Sequence, residues 1–137
     1  MRHADKHPEI MNKQDFICNG ITNNGKLASK NLAKKLDNRN IEIIKTSLVK
    51  RCIETSEIFA TACNKNLHIQ ETVLLGSPGA FIKNDKIASN IFLNTSDIYL
   101  IISKYRKNKL LPGLVHIDIG TNKILQSIYK DLQLQKT

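Results

Sequence analysis

One stretch narrows what this chain can fold into more than any other: a β-branched run, a hydroxyl-bearing turn, a helical segment and a second extended run, in that order. Ile41-Glu42-Ile43-Ile44-Lys45-Thr46 is rich in residues that pack well on a pleated surface, which predicts a strand. Ser47 turns the chain. Residues 48–64 then read as a helix, with Cys52, Ile53, Phe59, Ala60 and Cys63 on its buried side. His68 to Leu75 reads as a second strand, broken sharply by Gly76-Ser77-Pro78-Gly79. Strands alternating with helices predict an α/β fold, a parallel sheet flanked by helices. In such folds ligands lie beyond the carboxyl ends of the strands, and Ser47 to Arg51 occupies that place.

The remaining segments fit the same plan. Residues 1–20 read as irregular, with Lys6-His7-Pro8-Glu9 in a loop and a short helical turn after Pro8. Thr22 is placed to cap a helix that carries Ala28, Leu32, Ala33 and Leu36 at helical spacing and ends at Asp37-Asn38-Arg39-Asn40. Two further helices are expected over Asp85–Leu93 and Asp97–Lys107, then a loop at Leu111-Pro112-Gly113. A terminal helix over Thr121–Leu132 would hold Ile124, Leu125, Ile128, Tyr129 and Leu132 on one face. No repeat and no interdomain linker is visible, so residues 1–137 read as one domain.

Bulk properties limit the function classes. The chain has 137 residues and an apolar share of 41%, enough for one domain with a core and too apolar for wholesale disorder. A formal charge of +9 favours anionic partners or a solvated basic surface. Lys104-Tyr105-Arg106-Lys107-Asn108-Lys109 is the densest basic run, and it reads as the polar end of a helix. The three cysteines, Cys18, Cys52 and Cys63, are odd in number and lack CxxC spacing. That argues against a disulfide framework or a zinc knuckle and fits the cytoplasm. Apolar runs such as Ile98 to Ile102 are too short for a membrane span, and no signal peptide is visible.

Two short stretches carry candidate chemistry. Arg2-His3 sets an imidazole, a good nucleophile when neutral, beside a guanidinium whose planar fork matches two phosphate oxygens. Ser47-Leu48-Val49-Lys50-Arg51-Cys52-Ile53-Glu54-Thr55-Ser56 supplies a second guanidinium just after a strand. With Thr22, Gly25 and Leu32-Ala33-x-x-Leu36 between them, these stretches resemble the histidine phosphatase superfamily, which is phosphoglycerate mutase-like. The resemblance implies an α/β/α sandwich and hydrolysis of phosphomonoesters through a phosphohistidine. His3 would attack phosphorus, and Arg2 and Arg51 would hold the phosphoryl oxygens. Ser47 would cap the following helix and so set where Arg51 points, and Thr55 would pack one turn later. Lys6 and Pro8 stand where the acid phosphatase branch has Arg and Pro. The mutase-like branch fits better, with Lys6 at the pocket rim.

The resemblance also implies parts that are harder to place. His116, in Leu114-Val115-His116-Ile117-Asp118, offers a second phosphate-binding histidine. Alternatively, this segment is the one that precedes the second-histidine strand. Glu71 and Asp85 lie near where the mutase-like branch has its acid, and neither matches closely; His7 and His68 read as surface residues. Met1 stands where the family has an apolar strand, and the closing strand and helix are not visible. The expected domain is therefore a fragment, an incomplete sandwich truncated at both ends, with activity weakened or lost. No cofactor and no metal is implied. The expected partner is a phosphorylated small molecule or a phosphoprotein, with no membrane involved and self-association left open. A non-catalytic phosphate-binding remnant is the main alternative. A basic nucleic-acid-binding module ranks lower, because no aromatic platform accompanies the lysines.

Overall fold

The two extended runs do pair in parallel. Strand β1 (Ile43–Thr46) lies beside strand β2 (His68–Glu71), with Ile43 opposite His68 and Thr46 opposite Glu71. The His68 amide donates to Glu42 O at 2.9 Å and the Thr72 amide to Thr46 O at 2.8 Å, which carries the ladder past both ends. The structure is a computed structural model that describes residues 4–5, 19–63, 66–76, 78–94, 97–107 and 109–134. By packing, the chain divides into two compact units, Met1–Ser77 and Pro78–Thr137.

The first unit is built on helix α1 (Asn23–Leu36), β1, helix α2 (Lys50–Ala62) and β2. The two helices pack on each other, and α2 also packs on both strands. As expected, Thr22 caps α1, its hydroxyl oxygen accepting the Gly25 amide at 3.0 Å. The buried stripe of α1 differs from the expected one. It is Gly25, Ser29 and Ala33, whereas Ala28 and Leu32 are exposed. Small residues at every fourth position let this helix lie close to its neighbour, and the Ser29 hydroxyl is satisfied by Gly25 O at 2.9 Å. Ala33, Ile44, Phe59 and Cys63 form the core, with Leu36, Ile41, Ala60, Ala62 and Leu67 around it.

The face that α2 buries also needs correction. Arg51, Thr55, Ser56 and Phe59 are buried along it, with Cys63 just beyond its end, while Cys52 and Ile53 are half-buried. The helix is thus buried through polar side chains in its first two turns and apolar ones in its last two. Strand β2 stops at Glu71 and does not reach Leu75. The Thr72 hydroxyl accepts the Leu74 amide at 3.2 Å and turns the chain into a 3-10 turn, Val73–Leu75. A hydroxyl that offers the backbone a local partner competes with the sheet ladder.

In the second unit, helices α3 (Asp85–Asn94), α4 (Ile98–Arg106) and α5 (Ile117–Leu134) appear close to their expected places. Asn84 Oδ1 caps α3 through the Ile87 amide, and Asp97 Oδ1 caps α4 through the Tyr99 and Leu100 amides. Helix α5 begins four residues before Thr121, because His116 O accepts the Ile119 and Gly120 amides and Asp118 complements the positive end of the helix. Its expected apolar face is mostly uncovered: Leu125, Ile128, Tyr129 and Leu132 are exposed. Phe81 organises the unit. Its ring meets Tyr105 edge to face at 6.2 Å, and the Tyr105 hydroxyl donates to Val115 O at 2.6 Å.

Gly120 lies under that ring: a Cβ there would come within 2.1 Å of Phe81 Cδ1. Gly120→Ala is expected to destabilise the second unit by about 1–3 kcal/mol, read as a lower thermal midpoint. Burial raises the Tyr105 phenol above its ordinary value. A raised folded pKa stabilises fully below the unfolded value and is lost as pH rises through the folded value. The stability that Tyr105 adds should therefore hold up to about pH 10 and fade above it. Tyr105→Phe should remove that alkaline loss, as followed by denaturant midpoints from pH 8 to 12.

Candidate functional site

The carboxyl end of β1 leads directly into the first turn of α2. Thr46 and Ser47 are buried there, and Arg51 is only 3% exposed, with its Nε atom fully buried. Burial lowers the basicity of the guanidinium, partly opposed by the neighbouring Cys52 thiol. Arg51 nonetheless stays cationic near neutral pH, since guanidinium does not deprotonate in proteins. A buried, forked cation beyond a strand end can take a tetrahedral oxyanion through two donors at once. Ser47 does not cap α2 as expected. The capping position is Val49, without a side-chain bond, and Ser47 Oγ instead accepts the Val49 amide at 3.4 Å.

One turn along, α2 reaches the start of the chain. The Thr55 hydroxyl donates to Arg51 O at 2.6 Å and accepts the Ala4 amide at 3.1 Å. Ala4 is the residue after His3. On the adjacent helical position, Glu54 Oε2 accepts the Ile21 amide at 2.9 Å, and Glu54 Oε1 lies 4.0 Å from Lys50 Nζ. Asp5 completes the junction: its carbonyl accepts the Thr22 amide at 3.0 Å, and its carboxylate accepts the Thr22 hydroxyl at 2.9 Å. This close approach needs Gly25, where a Cβ would sit 2.4 Å from Asp5 O. The segments on either side of residues 6–18 are thus fastened to α1 and to the α2 face that carries Arg51.

The structure links Ala4 and Arg51 through Thr55, and buries Ser47 at the turn before α2. Arg2 and His3 lie outside the described residues, as do Lys6, His7 and Pro8. His116 belongs to the second unit and stands at the start of α5, not at a strand end. Its side chain is 40% exposed, and Nδ1 lies 3.2 Å from Asp118 Oδ2. Glu71, Asp85 and His68 are exposed. Among the described residues no cluster of three or more metal-ligating side chains occurs, and no helix is long and apolar enough to cross a membrane. Sequence reasoning missed Glu54 and Asp5 as fasteners. Only the Thr22 cap hinted that something would meet the first turn of α1.

Two solved structures to which this chain is similar can be described. One is a protein assigned as phosphohistidine phosphatase SixA from Agrobacterium tumefaciens, at 20% identity and TM-score 0.49, over 70% of this chain and 60% of that one. A protein of the same assignment from Nakamurella multipartitia matches at 17% identity and TM-score 0.45, over 71% of this chain and 51% of that one. The chain thus spans about 60% and 51% of their lengths. No family model matches the chain. No curated protein matches it either.

Thr55→Val keeps the shape of the side chain and removes both hydroxyl bonds. It is expected to cost about 1–2 kcal/mol and to speed hydrogen exchange at the Ala4 amide. Thr55→Ser should restore slow exchange. Equal exchange at Ala4 in all three proteins would show that Thr55 does not hold this segment.

Proposed function

We propose that this chain is a histidine phosphatase-like phosphomonoester hydrolase with Arg51 as a phosphoryl-binding residue. The observation that carries the reading is the Thr55 hydroxyl, which joins the amide of Ala4 to the turn of α2 that bears Arg51. Ala4 directly follows the Arg2-His3 pair, so this bond favours delivery of the pair to the buried guanidinium. In this reading neutral His3 attacks phosphorus, the bond from phosphorus to the leaving oxygen breaks, and that oxygen takes up a proton. Water then cleaves the nitrogen–phosphorus bond, releasing inorganic phosphate and restoring the imidazole. Arg2 and Arg51 oppose the charge on the phosphoryl oxygens, most strongly in the transition state. His116 is proposed as a further phosphate contact on the resemblance alone. The substrate class is a phosphorylated small molecule or phosphoprotein.

A second reading, a phosphate-binding protein without turnover, is favoured by one observation. Glu71 and Asp85, the carboxylates considered as proton donors, are both exposed, whereas a proton-donating acid is usually shielded from water in its site. The same experiment separates the readings. The purified protein is given p-nitrophenyl phosphate, and an acid-labile, base-stable phosphoryl adduct is sought. Weak turnover and an adduct are expected, both abolished in His3→Ala, with turnover about 100- to 1000-fold lower still in Arg51→Ala. Turnover unchanged in His3→Ala would overturn the enzyme reading. Binding of inorganic phosphate that survives His3→Ala but weakens about ten- to hundredfold in Arg51→Ala would select the second.

A further inference from the structure

The half of α2 remote from Arg51 forms one wall of a groove with α1. The groove holds about 370 Å³, at the small end for ligand sites, and is lined by Lys30, Lys34, Glu57, Ile58, Thr61 and Ala62. Ile58 and Ala62 give it an apolar floor, which the aliphatic stems of the lysines extend. Leu27 is 58% exposed and lies in line with Lys34 on α1, seven residues away. The charge is one-sided. Between Asn23 and Leu36, α1 carries Lys26, Lys30, Lys34 and Lys35 and no carboxylate. Lys26, Lys30 and Lys34 follow one another at every fourth position, about 6 Å apart along the axis, and so repel. The opposite lip differs, with Glu57 and Thr61 there.

We propose that this groove docks an acidic amphipathic helix of a partner protein. Its carboxylates pair with Lys30 and Lys34, and an apolar side chain enters over Ile58 and Ala62. A helix suits the site because carboxylates three or four residues apart repeat at the spacing of the two lysines. The two lips distinguish this occupant from other anions. A uniform polyanion such as a nucleic acid would bring phosphates against Glu57 and has no aliphatic group for the floor. A peptide with one acidic stripe and one apolar stripe offends neither wall. The inference is independent of the phosphate chemistry at Arg51.

The probe is a synthetic 14-residue helical peptide with one glutamate stripe and one leucine stripe, titrated into the full chain and followed by amide chemical shifts and calorimetry. Shifts are expected at Lys30, Lys34, Ile58 and Ala62. The Kd should weaken at least about tenfold in Lys30→Glu/Lys34→Glu, and measurably in Leu27→Ser, whose side chain is too exposed to threaten folding. The control Lys123→Glu/Lys130→Glu makes the same change of net charge on α5 and should bind like the parent. An equal loss in that control would reduce the effect to net charge and overturn the proposal. Equal or tighter binding of polyglutamate, of a single-stranded oligonucleotide or of anionic lipid vesicles at the same residues would also overturn it.

Discussion

A single hydroxyl, on Thr55, connects Ala4 to the helix that buries Arg51. Its proton goes to the carbonyl of Arg51, and its lone pairs receive the amide of Ala4. A hydroxyl can do both because it is donor and acceptor at once, and neither valine nor alanine can replace it. The bond to the carbonyl is a local one that many helical threonines make. The bond from Ala4 joins residues far apart in the chain. It is that second bond that sets the beginning of the sequence against the helix following β1.

Helix α2 then acts as a ruler with two different halves. Its first turns bury Arg51, Thr55 and Ser56, and its end buries Phe59 with Cys63 following. Buried hydroxyls cost little where they have carbonyl partners, as Thr55 and Ser56 do four residues back. A buried guanidinium costs more, because the interior solvates charge poorly. The fold thus places its costly charge at the strand end and its apolar side chains at the other end of the same helix. Polar chemistry and packing are kept apart along a single element.

Much of this was legible in the residues. The β-branched run at Ile41–Thr46, the turn at Ser47 and the cap at Thr22 rest on local chemistry, and local chemistry is what a sequence displays directly. The misses share a cause. Hydrophobicity finds Ala33, Phe59 and Cys63 on the buried faces of α1 and α2, but not Gly25, Ser29, Arg51, Thr55 and Ser56, which the fold buries beside them. Gly25, Ser29 and Ala33 were visible at spacing of four, but smallness matters only once a partner helix is known to be close. The end of β2 was misplaced because Val73, Leu74 and Leu75 look like strand residues, while the hydroxyl of Thr72 decides where the ladder stops. For the site, the sequence marked Arg51 and the motif around it. The fastening by Glu54 and Asp5 depends on contacts between segments far apart, which no spacing displays.

The oxygen at the start of α1 ties two otherwise separate things together. Thr22 Oγ1 receives the Gly25 amide and gives its own proton to Asp5. Fraying of that first helical turn and release of the chain's beginning are therefore the same event, seen from two sides. A protein wired this way loses local order in concert, so that warming would loosen Asp5 and the first turn of α1 together.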